Sequence, residues 1–561
     1  MAERGVSLNL SKMSSSKVPV SQMGGEKGSD VYSSSGDALV DLSVRLVRGG
    51  WTTDLADLFT KALIASEEDA FVLAFQTRDI RGGKGERELF KKMAEVLLEK
   101  RRDLMLGVLD LVPEYGCWRD LFTLQGEAQQ AIINLAAAQL KKDSVVASAN
   151  PEASISLCAK WAPREGKNTG LAKLLAAKIF PEARLSERLK GYRHLVAGLN
   201  RRLDTTEIKM CGRAWAEIEP AAVPGICLAK HIKAFLNEKK SGGIRYPDNK
   251  DRDTCREHFQ EHAKKAAKGE AKVNGSVTRY PHQVIKDVLK GAEGAERDAL
   301  IAVWNGMVAN AKALGGLGRT IAMCDFSGSM QGGLNGDTPY WVSMAMGLLI
   351  SEVTSDEFKD TFLTFDSSPT WHTLPPGDIF SRTASIGYCG QGLSTDFQKA
   401  MDLVLATLKA KRVRPGQEPK DLIVITDMAW DAACGSNQTS FFTGHSYRHV
   451  VKTGGWQTHI QMIREAFRRA GEDMWGRVEE GGLGPWTPPR IVIWNVAATT
   501  ADFHATADTE GVIMLSGWSP SLFKVLTEEG ARVQTPGEAL RMQLDDPRYD
   551  PIRERLRSLK A

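Results

Sequence analysis

Three short runs in the second half of the chain gather carboxylate and hydroxyl oxygens. Asp325-Phe-Ser327-Gly-Ser329 follows the apolar run Ile321-Ala-Met-Cys, Gly390-Gln-Gly-Leu-Ser-Thr395-Asp396 precedes a helical stretch, and Asp427 closes the apolar run Leu422–Thr426. Every candidate donor is an oxygen, and no Cys or His is required. That chemistry suits a hard divalent cation, Mg²⁺ first, with Mn²⁺ or Ca²⁺ as alternatives, because Mg²⁺ takes octahedral oxygen ligands and keeps waters. The candidate ligands are therefore Asp325, Ser327, Ser329, Thr395 and Asp427. A Ser/Gly turn can arise for capping alone. Three such loops, in order after the expected strands, point to a site.

Other chemistry finds little support. Ser327 is not in a G-x-S-x-G elbow, and Arg81-Gly-Gly-Lys84-Gly-Glu-Arg87 lacks the G-x-x-x-x-G-K-[ST] of a phosphate-binding loop. His258-Phe-Gln-Glu-His262 has i, i+4 histidines without the H-E-x-x-H order, and His372 and His445 are isolated. The chain is expected not to be an enzyme. Its eight cysteines are scattered with no C-x-x-C pair, which suits reduced thiols in a cytoplasmic protein. No stretch approaches 18 apolar residues, so no membrane span is expected. Residues 1–36 are rich in Ser and Gly, lack an apolar core with a cleavage site, and read as a flexible lead-in.

The oxygen loops need a frame that brings them together. Strand candidates are Ile321–Asp325, Thr361–Phe365, Asp421–Thr426, Arg490–Trp494 and Gly511–Leu515, with helices at 396–409, 456–470 and 519–529 between or after them. Continuous β-branched runs alternating with helices indicate a buried parallel sheet covered on both faces. The expectation for 316–545 is a doubly wound α/β domain, followed by a tail, 546–561. Ligands bind such sheets outside the carboxyl ends of the strands, where the three loops fall.

Residues 37–315 read as α-helical. Leu55, Leu58, Phe59 and Leu63 fall on one helical face, as do Leu89, Phe90, Met93, Val96 and Leu97. Short helices in series suggest a helical-repeat domain, with 238–281 as a long basic excursion from it. Net charge is +4 but uneven: residues 1–320 carry 50 Lys+Arg against 40 Asp+Glu, and 151–290 carry 28 against 16. An anionic partner for this half is one explanation, and solvated helix faces are the other.

Asp325-Phe-Ser327-Gly-Ser329, with Thr395 and Asp427 after it, resembles the metal-ion-dependent adhesion site (MIDAS) of von Willebrand factor A domains. That resemblance implies Ser327, Ser329 and Thr395 as direct or near-direct ligands. Asp325 and Asp427 would hold bound waters or supply charge, and one position would stay open for a partner's carboxylate. Further runs resemble a family of unknown function from plants, bacteria and giant viruses that joins a helical domain to a von Willebrand-like domain. They are Phe75–Arg87, Pro113–Leu121, Leu157–Glu165, Tyr280-Pro281-His282, Thr426–Asp431, Trp494-Asn495 and Leu515–Ser519. The same plan is similar to the Ro ribonucleoproteins, whose TROVE domain of helical repeats binds small non-coding RNA. This implies an RNA-binding, ribonucleoprotein-like scaffold, with Arg78, Arg81, Lys84, Arg87, Lys160, Arg164, Lys167, Arg193, Arg201 and Arg202 as candidate phosphate contacts. The alternative is a metal-dependent protein-interaction adaptor without RNA, whose cation captures an acidic side chain of a partner. Trp118, Trp161 and Trp215 are expected as anchors between helices rather than as base-stacking platforms.

Overall fold

The computed structural model describes residues 20–24, 30–124, 126–332, 336–365, 369–386, 397–428, 456–498, 502–527 and 533–561. The chain divides into two units. One comprises Met1–Leu73, Pro281–Lys286 and Val308–Pro547, and the other Ala74–Tyr280, Asp287–Met307 and Arg548–Ala561. No helix among the described residues is long and apolar enough to cross a membrane.

The first unit is built on a mixed sheet. The strands, in chain order, are β1 (Gln22–Gly24), β2 (Asp30–Tyr32), β3 (Thr320–Asp325), β4 (Thr361–Phe365), β5 (Trp371–Thr373), β6 (Asp421–Thr426), β7 (Arg490–Asn495) and β8 (Val512–Ser516). β1 and β2 form an antiparallel pair. The remaining six form one sheet in the order β5-β4-β3-β6-β7-β8. All neighbours in it are parallel except β4 and β5. Every residue of β3, β6, β7 and β8 is buried, which is why these strands are continuously apolar rather than alternating. β5 is missing from the sequence reading because it is three residues long, half exposed and at an edge. The helix Pro339–Val353 starts on Thr338 with Pro in its first turn and is buried almost throughout. Its Gly347 lies where a Cβ would collide with the Cys324 sulfur.

The linear division at 315/316 is corrected at both ends of the chain. The helix Ala38–Arg45 belongs to the first unit, not to the helical one. Asp37 caps it, accepting from the Leu39 and Val40 amides at 2.8 and 3.1 Å. Its last carbonyls are taken by the ends of β7 and β8: the Asn495 amide donates to Val44 O at 3.0 Å, and the Ser516 hydroxyl to Ser43 O at 2.5 Å. Arg541 holds Asp69 through two bonds of 2.7 and 2.9 Å. Val31, Ser34 and Ser35 are buried in this unit, so the lead-in read as flexible has become structure by Val31.

The second unit is helical, and it includes the helix Asp550–Lys560, where the sequence predicts only a tail. Asp79, fully buried, takes the Arg548 guanidinium and the Tyr549 hydroxyl. Arg555 binds Asp110 at 2.8 and 3.0 Å. The expected basic excursion 238–281 is also corrected. Lys250–Ala267 is an 18-residue helix capped by Asn249, with Arg252, Cys255, Phe259, Ala263 and Ala266 buried. Phe259 stacks on Phe235 at 4.5 Å between ring centroids, and Arg252 lies 3.6 Å over Trp215. Its charges mask an apolar stripe at helical spacing, which is what places it in the core.

Candidate cation site at the strand ends

β3 lies between β4 and β6, so the chain leaves it to one side and later returns on the other. The crevice of such a sheet opens at this reversal, beyond the carboxyl ends of the two strands. Asp325 ends β3, and Asp427 follows β6 directly. Both are fully buried. The Ser327 amide donates to one Asp325 oxygen at 2.9 Å, and the Thr426 hydroxyl to the other at 2.9 Å. Ser327 and Ser329 hydroxyl oxygens are 3.0 Å apart on a short 3₁₀ turn, Gly328–Gln331. The structure thus brings Asp325, Ser327, Ser329 and Asp427 to one strand-end corner. Thr395 lies outside the described residues.

Burial, and then the negative charge of Asp427, push the Asp325 carboxyl up to about 7, while the Ser327 and Thr426 hydrogen bonds pull the other way. Two carboxylates in a dry place oppose each other's ionisation, and a cation between them relieves both the repulsion and the lost hydration. The donors are carboxylate and hydroxyl oxygens, which fits a hard divalent ion. The fit rests on serines as well as carboxylates. No group of three or more His, Cys, Asp or Glu suited to a metal occurs among the described residues.

Sequence reasoning missed three parts of this corner. Thr426 reads as the last residue of a strand, yet its hydroxyl joins the two loops. It donates to Asp325 and accepts the Met428 amide at 3.2 Å. Met428 has φ +70°, which nothing in its residue type announces. His504 is fully buried and 2.9 Å from the Met428 carbonyl. An isolated histidine carries no local signal of such a role.

The ten basic residues do not form one surface. Arg78 is buried against Asp120 at 2.6 Å, and Arg87 binds the same carboxylate at 2.7 Å. Lys84 is buried, and desolvation pushes its ammonium down to about 7. Arg78 and Lys84 are therefore withdrawn as phosphate contacts, because a phosphate cannot reach them. Lys160 pairs with Glu207 at 3.1 Å and Arg193 with Glu165 at 3.4 Å. Arg81, Arg164, Lys167 and Arg201 are exposed, and Arg202 is half-buried with a bond to Ala153 O at 2.9 Å. Trp118 is buried, and Trp161 and Trp215 are half-buried.

A more cation-rich surface lies on three helices, Gln129–Ala149, Thr169–Ile179 and Leu185–Leu203, and the segments joining them; the second helix packs against both others. Residues 129–203 hold thirteen Lys+Arg against five Asp+Glu. Ten of the cations are exposed (Lys141, Lys142, Arg164, Lys167, Lys173, Lys178, Arg184, Lys190, Arg193 and Arg201), against three exposed carboxylates. Lys190, His194 and Arg201 share one helix face at i, i+4 and i+11.

Comparison with known proteins places these parts among uncharacterised relatives. Residues 319–555 match a family described as a domain of unknown function (DUF7788), and residues 128–317 match another, DUF2828. Among solved structures, the Deinococcus radiodurans RO (RSR) protein aligns at a TM-score of 0.32 and 14% identity, over 90% of this chain and 100% of that one. The chain is 26% identical over 524 residues to the uncharacterized protein L728 of Acanthamoeba polyphaga mimivirus, covering 89% of this chain and 84% of that relative.

Proposed function

We propose that the chain is a non-enzymatic RNA-binding scaffold with a divalent-cation site in its α/β unit. The observation that carries this reading is the separation of charge between the units. One unit presents three helices and their connecting segments, rich in exposed cations, to solvent, and the other buries two carboxylates at the corner of a switch-point sheet. RNA binding needs exposed cations to displace condensed counterions from phosphates, and residues 129–203 supply them. The D-x-S-G-S loop on a sheet of this order supports a von Willebrand factor A-like reading of the first unit. The plan of a helical unit joined to an α/β unit supports a TROVE-like reading of the second. The scattered thiols suit a cytoplasmic location.

In the cation site, Asp325, Ser327, Ser329 and Asp427 would hold Mg²⁺. When bound, the ion would neutralise the two carboxylates and offer a coordination position to an incoming carboxylate. The chain's own part is orientation: Thr426 and the Ser327 amide fix the Asp325 oxygens.

The test uses the full chain. Filter binding of structured RNA across a salt series should give a log–log slope of roughly −0.7 to −0.9 per neutralised phosphate. Reversing Arg164, Lys167, Lys190, Arg193 and Arg201 together to Glu should weaken binding at least tenfold and flatten that slope. Five reversals in 321–561 should not. Absence of salt-sensitive binding to any RNA overturns the RNA reading. The adaptor reading then takes its place, favoured by the burial of Arg78 and Lys84 and the ion pairs of Arg87, Lys160 and Arg193. It requires that chelation or Asp325→Ala release a protein partner.

A further inference from the structure

We propose that His504 is a positioning residue for Asp427, acting through the Met428 carbonyl and itself held by the N-terminal segment at Tyr32. This rests on the cation reading above and adds to it a residue that does not touch the ion.

The argument starts from the backbone directly after Asp427. Met428 sits at φ +70°, in the left-handed region that strains a non-glycine residue. Methionine has no short polar side chain to stabilise itself there, as Asn or Asp would. Such a conformation persists only where the surroundings fix it. Two hydrogen bonds do so. The Met428 amide donates to the Thr426 hydroxyl at 3.2 Å, and its carbonyl is 2.9 Å from His504 Nε2. A carbonyl only accepts, so Nε2 carries the hydrogen.

The Asp427 backbone therefore lies inside a turn anchored on both sides. One anchor is the Thr426 hydroxyl, which donates onward to Asp325 Oδ2 at 2.9 Å. The other is an imidazole buried without exposure. Remove the second, and the turn can relax toward negative φ, carrying the carboxylate away from its partner across β3.

His504 is placed in turn by pairing with the N-terminal segment. Phe503 and Tyr32 form an antiparallel bridge, with the Tyr32 amide 2.8 Å from Phe503 O and the Phe503 amide 3.0 Å from Tyr32 O. The Ala507 amide adds a bond to Ser35 O at 2.8 Å. A segment before the first helix thus bears on a ligand that follows β6.

The experiment titrates Mn²⁺ against wild type, His504→Gln, His504→Leu and Asp325→Ala, reading free Mn²⁺ by electron paramagnetic resonance. His504→Leu should weaken Mn²⁺ binding about tenfold or more, the usual effect of losing a group that orients a ligand. His504→Gln, which keeps an amide donor for the Met428 carbonyl, should stay within about threefold of wild type on the same reasoning. Equal binding by His504→Leu and wild type, with loss in Asp325→Ala, overturns the positioning role and leaves the cation site standing. If wild type binds no better than Asp325→Ala, the cation reading fails and takes this proposal with it. Should a buried replacement not fold, hydrogen exchange on wild type decides. Mg²⁺ must slow exchange in peptides covering Phe503–Ala507 as well as Thr426–Met428, and slowing confined to the latter overturns the proposal.

Discussion

The two ends of the β3–β6–β7 sheet bury carboxylates in opposite company. At the amino end, Asp421 opens β6 directly across from Arg490, which opens β7, and the pair is joined by bonds of 2.6 and 3.1 Å. Arg490 also donates to Val533 O at 2.7 Å, so both charges are hydrogen-bonded as well as neutralised. At the carboxyl end, Asp325 meets the charge of a second carboxylate instead, and its own hydrogen bonds come from an amide and a hydroxyl. A buried carboxylate with a guanidinium fork is an internal joint, complete within the chain. A buried carboxylate facing its like is stable only with a proton or a cation from outside. The two ends of the same sheet thus differ in what stands opposite each acid.

Breaking the amino-end joint should have the largest effect. Arg490→Met leaves Asp421 buried without its partner and should cost about 3–5 kcal/mol, lowering the melting temperature by roughly 10 °C. Calorimetry with and without Mg²⁺ checks it, and the loss should be the same in both. A loss that Mg²⁺ repairs would mean the two ends are not independent.

At the carboxyl end the expectation reverses. Asp325→Asn removes a like charge, so in chelator the variant should melt no lower than wild type. Saturating Mg²⁺, at about 100 times its dissociation constant, should stabilise wild type by about 2.7 kcal/mol and the variant hardly at all. A variant that is destabilised in chelator would show that Asp325 serves as an internal joint after all.

A third carboxylate sharpens the contrast by a smaller amount. Asp337 is bonded by the Lys286 ammonium, with His282 Nε2 and Arg48 each at 3.9 Å, and the neighbouring His282 and Lys286 hold its carboxyl well below the usual range. Because its folded-state pKa is depressed, its contribution is full above the unfolded value near 4 and shrinks as pH falls from there toward the lower folded value. Asp337→Asn should therefore remove about 1 kcal/mol at pH 6 and less at pH 2, a modest figure because the side chain is a quarter exposed. Thermal melts across pH 2–6 read this, and an equal loss at both ends would assign the effect to packing.

The carboxyl ends of β7 and β8 add a neutral variant of the theme. Asn495 and Ser516 meet the last carbonyls of the helix Ala38–Arg45, and the Trp494 and Trp518 indoles donate to Gly517 O and Val496 O at 2.8 Å. The runs Trp494-Asn495 and Leu515–Ser519, noticed in the sequence as shared motifs, are thus a docking seat for that helix.

Local pattern determined a good part of this protein. Runs such as Leu-Ile-Val-Ile and Ile-Val-Ile-Trp announce buried parallel strands, because a strand covered on both faces has no polar side to show. Asp325, Ser327, Ser329 and Asp427 could be chosen because the ends of such strands are where a doubly wound sheet opens. What remained hidden depends on partners far away in the chain. Charge in the sequence does not reveal burial, so Arg78 and Lys84 looked like surface cations until Asp120 and the packing around them were in place. The placement of the terminal segments, with Ala38–Arg45 on the sheet and Asp550–Lys560 on the helical unit, depends on hydrogen bonds to Asn495, Ser516 and Asp79 between residues hundreds of positions apart. His504 lies 76 residues from the Met428 carbonyl it holds. Secondary structure follows from side-chain periodicity within a few turns, whereas the partner of a buried polar group is decided only when the whole core closes and each such group must find one.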